Sequence, residues 1–265
     1  MKEKMILILV FVFAFGLFGC GGETVSGDAE KTEIIVFAAA SMSGALEEVA
    51  ALYMQDNPNA VIIFNFDSSG TLSTQIQERA EADVFISAAL REMEQLSEAG
   101  LVVEATRVDF LENKTVLVVA PENPKNIKSF QDMAEALLAG DVWMAMGNMD
   151  VPVGRYAQEI LTYFGLDHEK LATSGVISYG FNVREVAGQV REASVDMGMV
   201  YLTDAVEFDL KVVDVATVEM AGRVIYPAAI LYGSQNPAAA ESFLDFMTGE
   251  TAMEVFVDWG FSPFR

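Results

Sequence analysis

The chain has 265 residues, of which 52% are hydrophobic, and its formal charge is −23. This length can bury one large core or two medium-sized ones, and the acidity argues against nucleic acid as a partner. The one cysteine, Cys20, excludes disulfide frameworks and CxxC metal or redox sites. The one histidine, His168, stands in a polar segment that we expect to be a surface turn, which excludes histidine clusters and histidine-based triads.

Residues 1–20 have the pattern of a secretory signal. Two lysines precede the apolar run 5–18, which is too short and too early for a membrane span. The run ends in Leu-Phe-Gly-Cys, which resembles the cleavage box of bacterial lipoproteins, and the resemblance implies that Cys20 becomes the lipidated first residue of the mature chain. The alternative is an unpaired cysteine in a signal anchor. Residues 21–31 are polar and small, as is typical of a flexible tether.

The first strand of the mature chain runs directly into a helix. Residues 34–40 are continuously apolar, which predicts a strand buried on both faces, and apolar residues then recur at helical spacing over 43–56. Ser41 and Ser43 therefore stand at a helix N-terminus, where backbone N–H groups are free and an anion is favoured. The alternative is that these serines only cap the helix.

The same alternation continues along the chain. Short apolar runs at 61–66 and 83–87 predict two more strands, and the segments through Arg79 and over 92–99 predict helices. Ser69 stands at the start of the first of these helices, so the arrangement seen at Ser41 recurs. Strands that alternate with helices indicate a parallel sheet.

The long stretch 107–120 is interpreted as a crossing into a second lobe. There the pattern starts again, with helices predicted over 129–139, 155–164 and 183–191, and strands over 142–146, 176–181, 197–201 and 211–215. A return strand over 225–232 and helices over 237–248 and 250–258 close the chain. We therefore predict a two-lobed α/β fold, with lobe 1 formed by 32–112 plus 224–265, lobe 2 by 113–223, and a ligand cleft at the carboxyl ends of the strands.

Five motifs carry a resemblance that covers nearly all of the mature chain: 36–41 (VFAAAS), 68–72 (SSGTL), 82–88 (ADVFISA), 152–157 (PVGRYA) and 198–205 (GMVYLTDA). With these motifs the chain resembles the periplasmic molybdate-binding proteins, the solute-binding components of ABC importers. The resemblance implies a type II periplasmic-binding-protein-like fold. The ligand contacts it implies are the hydroxyls of Ser41 and Ser69, the backbone N–H groups of Val153 and Val183, and the hydroxyl of Tyr201.

The implied ligand suits these donors. A tetrahedral dianion offers only acceptors, and neutral donors at helix N-termini satisfy it without a buried cation. A site without a carboxylate disfavours protonated phosphate, whereas sulfate must be rejected by its smaller size. The resemblance further implies molybdate or tungstate as the transported ligand, no resident cofactor or other metal, no enzyme activity, an ABC permease as partner, an extracytoplasmic location and a monomer.

The sequence departs from the usual pattern at Asp67, Ala89 and the pair 148–149. Asp67 matters most, because a carboxylate in the site would repel a dianion or recruit a protonated one; we interpret it as a solvated turn residue. Two alternatives stay open. The same fold could bind another oxyanion such as sulfate or phosphate, or an acid/base enzyme could use Asp67 or Asp150 with Asp204.

Overall fold

The structure, a computed structural model, describes residues 31–265. The predicted signal segment, Cys20 and all but the last residue of the predicted tether lie outside these residues. The strands of the described part are β1 Thr32–Ala39, β2 Ala60–Asp67, β3 Val84–Ile86, β4 Val108–Asn113, β5 Thr115–Val119, β6 Met144–Gly147, β7 Ile177–Gly180, β8 Met197–Tyr201, β9 Lys211–Val215, β10 Val224–Ile230 and β11 Ser262–Pro263.

Helices follow most of these strands and cover the sheets. They are α1 Ser43–Asp56, α2 Ser69–Gln77, α3 Leu90–Glu98, α4 Phe130–Ala139, α5 Pro152–Tyr163, α6 His168–Ser174, α7 Val183–Arg191, α8 Leu202–Glu207, α9 Val218–Ala221, α10 Pro237–Thr248 and α11 Glu250–Asp258. Short 3₁₀ turns span Ala40–Met42 and Glu104–Thr106. Within residues 31–265, the helices are too short or too polar to cross a membrane.

The first sheet has six strands in the order β11-β4-β10-β3-β1-β2. Strand β1 pairs in parallel with both β2 and β3. Ile34, Val36 and Ala38 are fully buried on one face and Phe37 is buried on the other, as predicted for a strand covered on both faces. Strand β10 runs antiparallel to β3 and β4. The prediction of a parallel sheet is therefore correct for β1–β3 and wrong for the strands that return from the other half of the chain.

The second sheet has five strands in the order β7-β6-β8-β5-β9 and repeats the plan of the first. Strands β7, β6 and β8 are parallel, and β5 runs antiparallel to β8 and β9. The orders β2-β1-β3-β10-β4 and β7-β6-β8-β5-β9 correspond strand for strand. In each half, the antiparallel strand beside the parallel ones is the strand by which the chain enters from the other half. The predicted two-lobed α/β fold is confirmed; below, lobe one denotes the six-stranded sheet with its helices, and lobe two the five-stranded sheet with its helices.

The crossing between lobes is sharper than predicted. Residues 107–120 form two strands, β4 and β5, which belong to different sheets and are separated by Lys114. The backbone N–H of Lys114 pairs with neither sheet. It donates instead to the side-chain Oδ1 of Asn113, at 2.8 Å. The predicted residue limits of the two lobes as moving units, 32–112 plus 224–265 and 113–223, remain a prediction.

Lobe two also differs locally from the prediction. Helix α5 begins at Pro152, three residues earlier than predicted, because proline suits the first helical position. His168 is not in a turn but begins the unpredicted helix α6, which Asp167 caps by accepting the N–H of Lys170 at 3.1 Å. The imidazole Nε2 lies 2.8 Å from the hydroxyl of Tyr179.

Candidate functional site

One small cavity lies where strand ends of both lobes meet helix N-termini. It is lined by Ala39, Ala40, Ser41, Asp67, Ser68, Ser69, Ala88, Val151, Pro152, Val153, Val183 and Tyr201. All five residues predicted to contact the ligand are among them. The cavity measures about 10 Å³, and a single water molecule needs roughly 10–15 Å³ on this measure. The closed cavity is therefore about the size of one water molecule, which excludes an extended ligand such as a sugar or a peptide.

Ser69 is held as a hydrogen-bond donor. It is the first residue of α2, and its Oγ accepts the backbone N–H of Ala88 at 2.9 Å. The preceding Ser68 caps the helix by accepting the N–H of Thr71 at 3.1 Å. Because the Ser69 oxygen is already engaged as an acceptor, its own hydrogen is free to be donated into the cavity.

Ser41 lies in the 3₁₀ turn between β1 and α1. Its Oγ is 2.8 Å from the hydroxyl of Tyr226, and both side chains are buried. Ser43, the other serine at this helix start, has a different role. Its Oγ donates to the carbonyl of Ala40 at 3.0 Å and accepts from Arg184 at 2.6 Å, so it serves the structure around the cavity and does not line it.

Lobe two contributes two helix N-termini to the cavity. Val153 is the second residue of α5 and Val183 the first of α7. The first N–H groups of a helix have no partner within the helix, and the helix dipole favours a negative charge beside them. Both valine side chains are buried, so these residues can serve a ligand in the cavity through the backbone alone.

Tyr201 ends β8 with its side chain 1% exposed. Among the described residues, no polar atom lies within hydrogen-bonding distance of its buried hydroxyl. Burial, reinforced by the neighbouring Tyr226, raises the pKa of this phenol well above its ordinary value, so it keeps its proton. A buried donor without a partner costs about 1–3 kcal/mol, and an acceptor in the cavity would remove that cost.

The interpretation of Asp67 as a solvated turn residue is wrong. Asp67 is the last residue of β2, is half-buried and lines the cavity. Its Oδ1 accepts the backbone N–H of Ser68 at 2.6 Å. Alternation along the strand could not place this side chain, because its position depends on the hydrogen bond it makes to the following residue. The cavity thus combines neutral donors with one carboxylate at its edge.

The other acids proposed for an acid/base enzyme do not join Asp67. Asp150 is exposed and borders a separate groove beside α2 and α3. Asp204 is fully buried in α8, and neither carboxyl oxygen has a hydrogen-bond partner among the described residues. Burial, and secondarily the charge of Glu207, raises the Asp204 pKa to about 8. These carboxyls therefore form no pair around the cavity.

Direct contacts hold the lobes together around the cavity. Arg155 of α5 makes an ion pair with Glu92 of α3 at 2.5 Å, and both side chains are mostly buried. Gly70 of α2 packs so tightly that an added Cβ would lie 2.1 Å from the carbonyl oxygen of Asp150. The structure is therefore that of a closed arrangement of the two lobes.

Two further residues at the site were not predicted. Tyr226 touches Ser41, and Asn113 touches Tyr226, but these pairs are 185 and 113 positions apart. No local pattern in the sequence marks either residue, because β10 and β4 read as ordinary buried strands. Only the pairing of β10 with β4 brings them behind the serine.

Two lobes of similar topology that enclose a small cavity lined by hydrogen-bond donors define a solute-binding protein. The family model described as "Bacterial extracellular solute-binding protein" matches residues 34–262. The molybdate-binding protein ModA of Haemophilus influenzae is 35% identical over 236 residues, which cover 88% of this chain and 91% of the relative.

Solved structures agree on the fold. The periplasmic molybdate-binding protein of Azotobacter vinelandii superposes with a TM-score of 0.77 at 24% identity, covering 88% of this chain and 100% of the other. The sulfate-binding protein SubI of Mycobacterium tuberculosis H37Rv superposes with a TM-score of 0.70 at 18% identity, covering 88% and 87%. This chain belongs to the bacterial extracellular solute-binding protein family.

Proposed function

We propose that the chain captures molybdate or tungstate in this cavity and delivers it to the permease of an ABC importer. The observation that carries the proposal is the convergence of Ser41, Ser69, Val153, Val183 and Tyr201 on one small cavity between the lobes. The unpartnered hydroxyl of Tyr201 supports it, since a buried donor calls for an acceptor. The identity with the Haemophilus influenzae molybdate-binding protein favours this oxyanion over others.

The mechanism is binding followed by closure, without a chemical step. Lobe one supplies the serine hydroxyls, and lobe two supplies the backbone N–H groups and the tyrosine hydroxyl. A ligand that touches both sets at once stabilises the closed arrangement through contacts that exist only there. The Arg155–Glu92 ion pair joins the lobes on the same side as the Gly70–Asp150 contact and adds to closure.

The cellular setting is part of the proposal. Cys20 carries a lipid that anchors the mature chain to the outer side of a bacterial membrane, and residues 21–31 tether the folded part as a monomer. Mass spectrometry of the mature N-terminus tests the anchor: a diacylated Cys20 supports it. A chain cleaved elsewhere, or one that Cys20→Ser leaves in the membrane fraction, contradicts it.

Calorimetric titration tests the ligand. The chain without residues 1–20 is titrated with molybdate, tungstate, sulfate and phosphate, and we expect tight one-to-one binding of the first two only. Ser69→Ala should weaken that binding by roughly 10- to 150-fold, because a hydrogen bond to a charged group is worth about 1.5–3 kcal/mol. Ser262→Ala, an exposed serine at the outer edge of the six-stranded sheet, is the matched control. Absence of molybdate and tungstate binding would refute the proposal.

Asp67 favours a second candidate, a protonated oxyanion such as hydrogen phosphate. Its carboxylate lines the cavity and can accept the ligand's hydrogen, which a site made only of donors cannot do. The same titrations separate the two candidates. Tighter binding of phosphate than of molybdate, abolished in Asp67→Ala, would assign the site to the protonated ligand.

A further inference from the structure

The hydroxyl of Ser41 is the end of a buried hydrogen-bond network that joins the two lobes. The other members are Asn113 at the end of β4, Tyr226 in β10 and Thr203 in α8. The exposure of these four residues does not exceed 5%. Water therefore does not compete for their donors and acceptors, and the direction of every hydrogen bond can be worked out from the chemistry of the groups.

The direction is set at Asn113. Its Oδ1 lies 2.8 Å from the backbone nitrogen of Lys114, and a backbone N–H can only donate. This contact decides which side of the amide is the oxygen. The Nδ2 group, which can only donate, consequently faces the other two partners, the Oγ1 of Thr203 at 2.9 Å and the hydroxyl of Tyr226 at 3.2 Å.

Tyr226 passes this direction to Ser41. Its hydroxyl accepts from Asn113, and the other polar atom of the described residues within hydrogen-bonding distance is the Oγ of Ser41, at 2.8 Å. Burial raises the pKa of Tyr226 well above its ordinary value, so the phenol has a hydrogen to donate. Ser41 therefore accepts from Tyr226, and its own hydrogen is left for the cavity.

A second arm of the network ends on the same residue. Thr203 accepts from Asn113 and donates to the backbone carbonyl of Ser41, at 3.4 Å. One side-chain amide thus fixes the hydroxyl of Ser41 through lobe one and supports its backbone through lobe two. Because Asn113 stands at the crossing from β4 to β5, it contacts residues of both lobes.

We propose that Asn113 and Tyr226 are positioning residues that hold Ser41 as a donor only, and thereby select an oxyanion that presents a bare oxygen at this point. The proposal rests on the proposed function. An oxyanion without hydrogens always offers the acceptor that Ser41 requires. Hydrogen phosphate gains nothing by turning its O–H towards Ser41: the oxygen has a second lone pair, but accepting there leaves the Ser41 hydrogen without an acceptor among the described residues.

The test compares two ligands of equal charge and similar size that differ in a hydrogen. Sulfate and phosphate compete against bound molybdate at a pH above the second phosphate pKa, where both carry two negative charges. The measured quantity is the preference for sulfate over hydrogen phosphate. Asp67 is unchanged in every variant, so what it contributes to each ligand cancels when variants are compared.

Two variants alter the network, and one is the control. Tyr226→Phe removes the hydroxyl that donates to Ser41, which frees the Ser41 hydroxyl to rotate but gives its hydrogen no new acceptor. Asn113→Asp replaces the donor Nδ2 with an acceptor while the bond to Lys114 remains, so Tyr226 donates to residue 113 and Ser41 is left to donate to Tyr226. Tyr53→Phe removes a buried hydroxyl that donates to Ser242 in lobe one, at 3.0 Å and outside the cavity.

The expected results follow from these directions. In Asn113→Asp the preference for sulfate should fall about tenfold or more below the wild-type value, the effect of one hydrogen bond to a charged group, although the added charge weakens all three ligands. In Tyr226→Phe the preference should fall less, because the freed Ser41 hydrogen has no acceptor. Tyr53→Phe should keep the wild-type preference. Thermal unfolding without ligand checks that each variant is folded. If Tyr226→Phe does not fold, the Asn113→Asp variant alone decides the test.

The possible outcomes distinguish failure of the proposed function from failure of the positioning role of Asn113 and Tyr226. Wild-type protein that binds no molybdate refutes the proposed function. Wild-type protein that binds molybdate, together with an Asn113→Asp variant that keeps the wild-type preference for sulfate over hydrogen phosphate, overturns the positioning role and leaves the proposed function intact. A Tyr226→Phe variant whose preference falls as far as that of Asn113→Asp overturns it too, because the direction of the hydrogen bond then does not matter.

Discussion

The two lobes build their halves of the cavity in different ways. Lobe one presents the side-chain hydroxyls of Ser41 and Ser69, and each already accepts a hydrogen bond from the protein. Lobe two presents the backbone N–H groups of Val153 and Val183 together with the Tyr201 hydroxyl, which has no partner among the described residues. The serine hydroxyls of lobe one are oriented by the protein before a ligand arrives, whereas the Tyr201 hydroxyl of lobe two gains a hydrogen-bond partner only from the ligand.

This difference determines which changes the site tolerates. In lobe one the donor is a side chain, so a substitution removes it directly. In lobe two the helix N-termini supply donors whatever residue stands at positions 153 and 183, provided that it has a backbone N–H. Substitutions chosen for each half therefore test whether the comparison is correct.

The largest effect is expected at the contact between the halves. Gly70→Ala places a Cβ 2.1 Å from the Asp150 carbonyl in the closed arrangement. Overpacking a rigid contact costs roughly 3 kcal/mol at the upper end of the usual range, so we expect molybdate affinity to fall about 100-fold. Stability without ligand should not fall, because Gly70 lies in the first turn of α2 and the clash is with the other lobe.

Gly188→Ala is the matched control for this change. Gly188 also lies within a helix, α7, and an added Cβ there meets nothing within 4 Å. We expect this variant to gain stability and to bind molybdate as the wild type does. Equal affinity in the Gly70→Ala and Gly188→Ala proteins would show that the lobes do not close as the structure has them.

The next effect distinguishes the oriented donor from the unpartnered one. Ser41→Ala and Tyr201→Phe should each weaken molybdate binding by about 1–3 kcal/mol, because a charged acceptor loses a donor. Without ligand the two should diverge. Ser41→Ala leaves the Tyr226 hydroxyl without its acceptor and lowers the melting temperature, whereas Tyr201→Phe removes a group that had no partner and leaves the melting temperature equal or higher. Calorimetry and thermal unfolding give both values, and parallel loss of stability would contradict the comparison.

A smaller effect tests the backbone donors of lobe two. Val183 is the first residue of α7, and the preceding Asn182 is extended (φ −150°, ψ 171°), a conformation that accepts a following proline. Val183→Pro therefore removes one N–H while the helix is retained, and we expect molybdate affinity to fall about tenfold. Val183→Ala keeps the N–H and should keep the affinity. If both variants bind equally, this donor does not meet the ligand.

The sequence predicted the alternation of strands and helices because buried strands and amphipathic helices leave local patterns. It could not assign β4 and β5 to different sheets, since the polar residues 112–115 mark an interruption but not which sheet each strand joins. The residues of the cavity came together as expected because strand ends in such folds meet at one edge. Tyr226 and Asn113 had no local signal, since their role depends on contacts across more than a hundred positions.

Two buried aspartates extend the comparison to stability. Asp83 in lobe one is 3% exposed, and its carboxylate accepts from the backbone of Ile35 at 2.8 Å, from Ser234 at 2.6 Å and from Gln235 at 3.0 Å. Asp204 in lobe two is fully buried without such partners among the described residues. Both oxygens of the first carboxyl accept hydrogen bonds, whereas burial favours the protonated form of the second.

The last prediction uses pH, and it concerns stability alone. The Asp204 pKa is about 8 in the folded protein against an ordinary value of 3.8. Between these values the unfolded chain releases the proton and the folded protein keeps it, so the free energy of unfolding falls as pH rises from about 4 to about 8. Asp204→Asn removes this loss. The advantage of Asp204→Asn over the wild type should be small near pH 4 and grow by about 1.4 kcal/mol for each pH unit up to about pH 8.

Asp83→Asn should instead lose stability at neutral pH, because its side-chain NH₂ group faces hydrogen-bond donors. Denaturant unfolding across this range measures both, and an Asp204→Asn advantage that does not change with pH would mean that Asp204 is ionised within the fold.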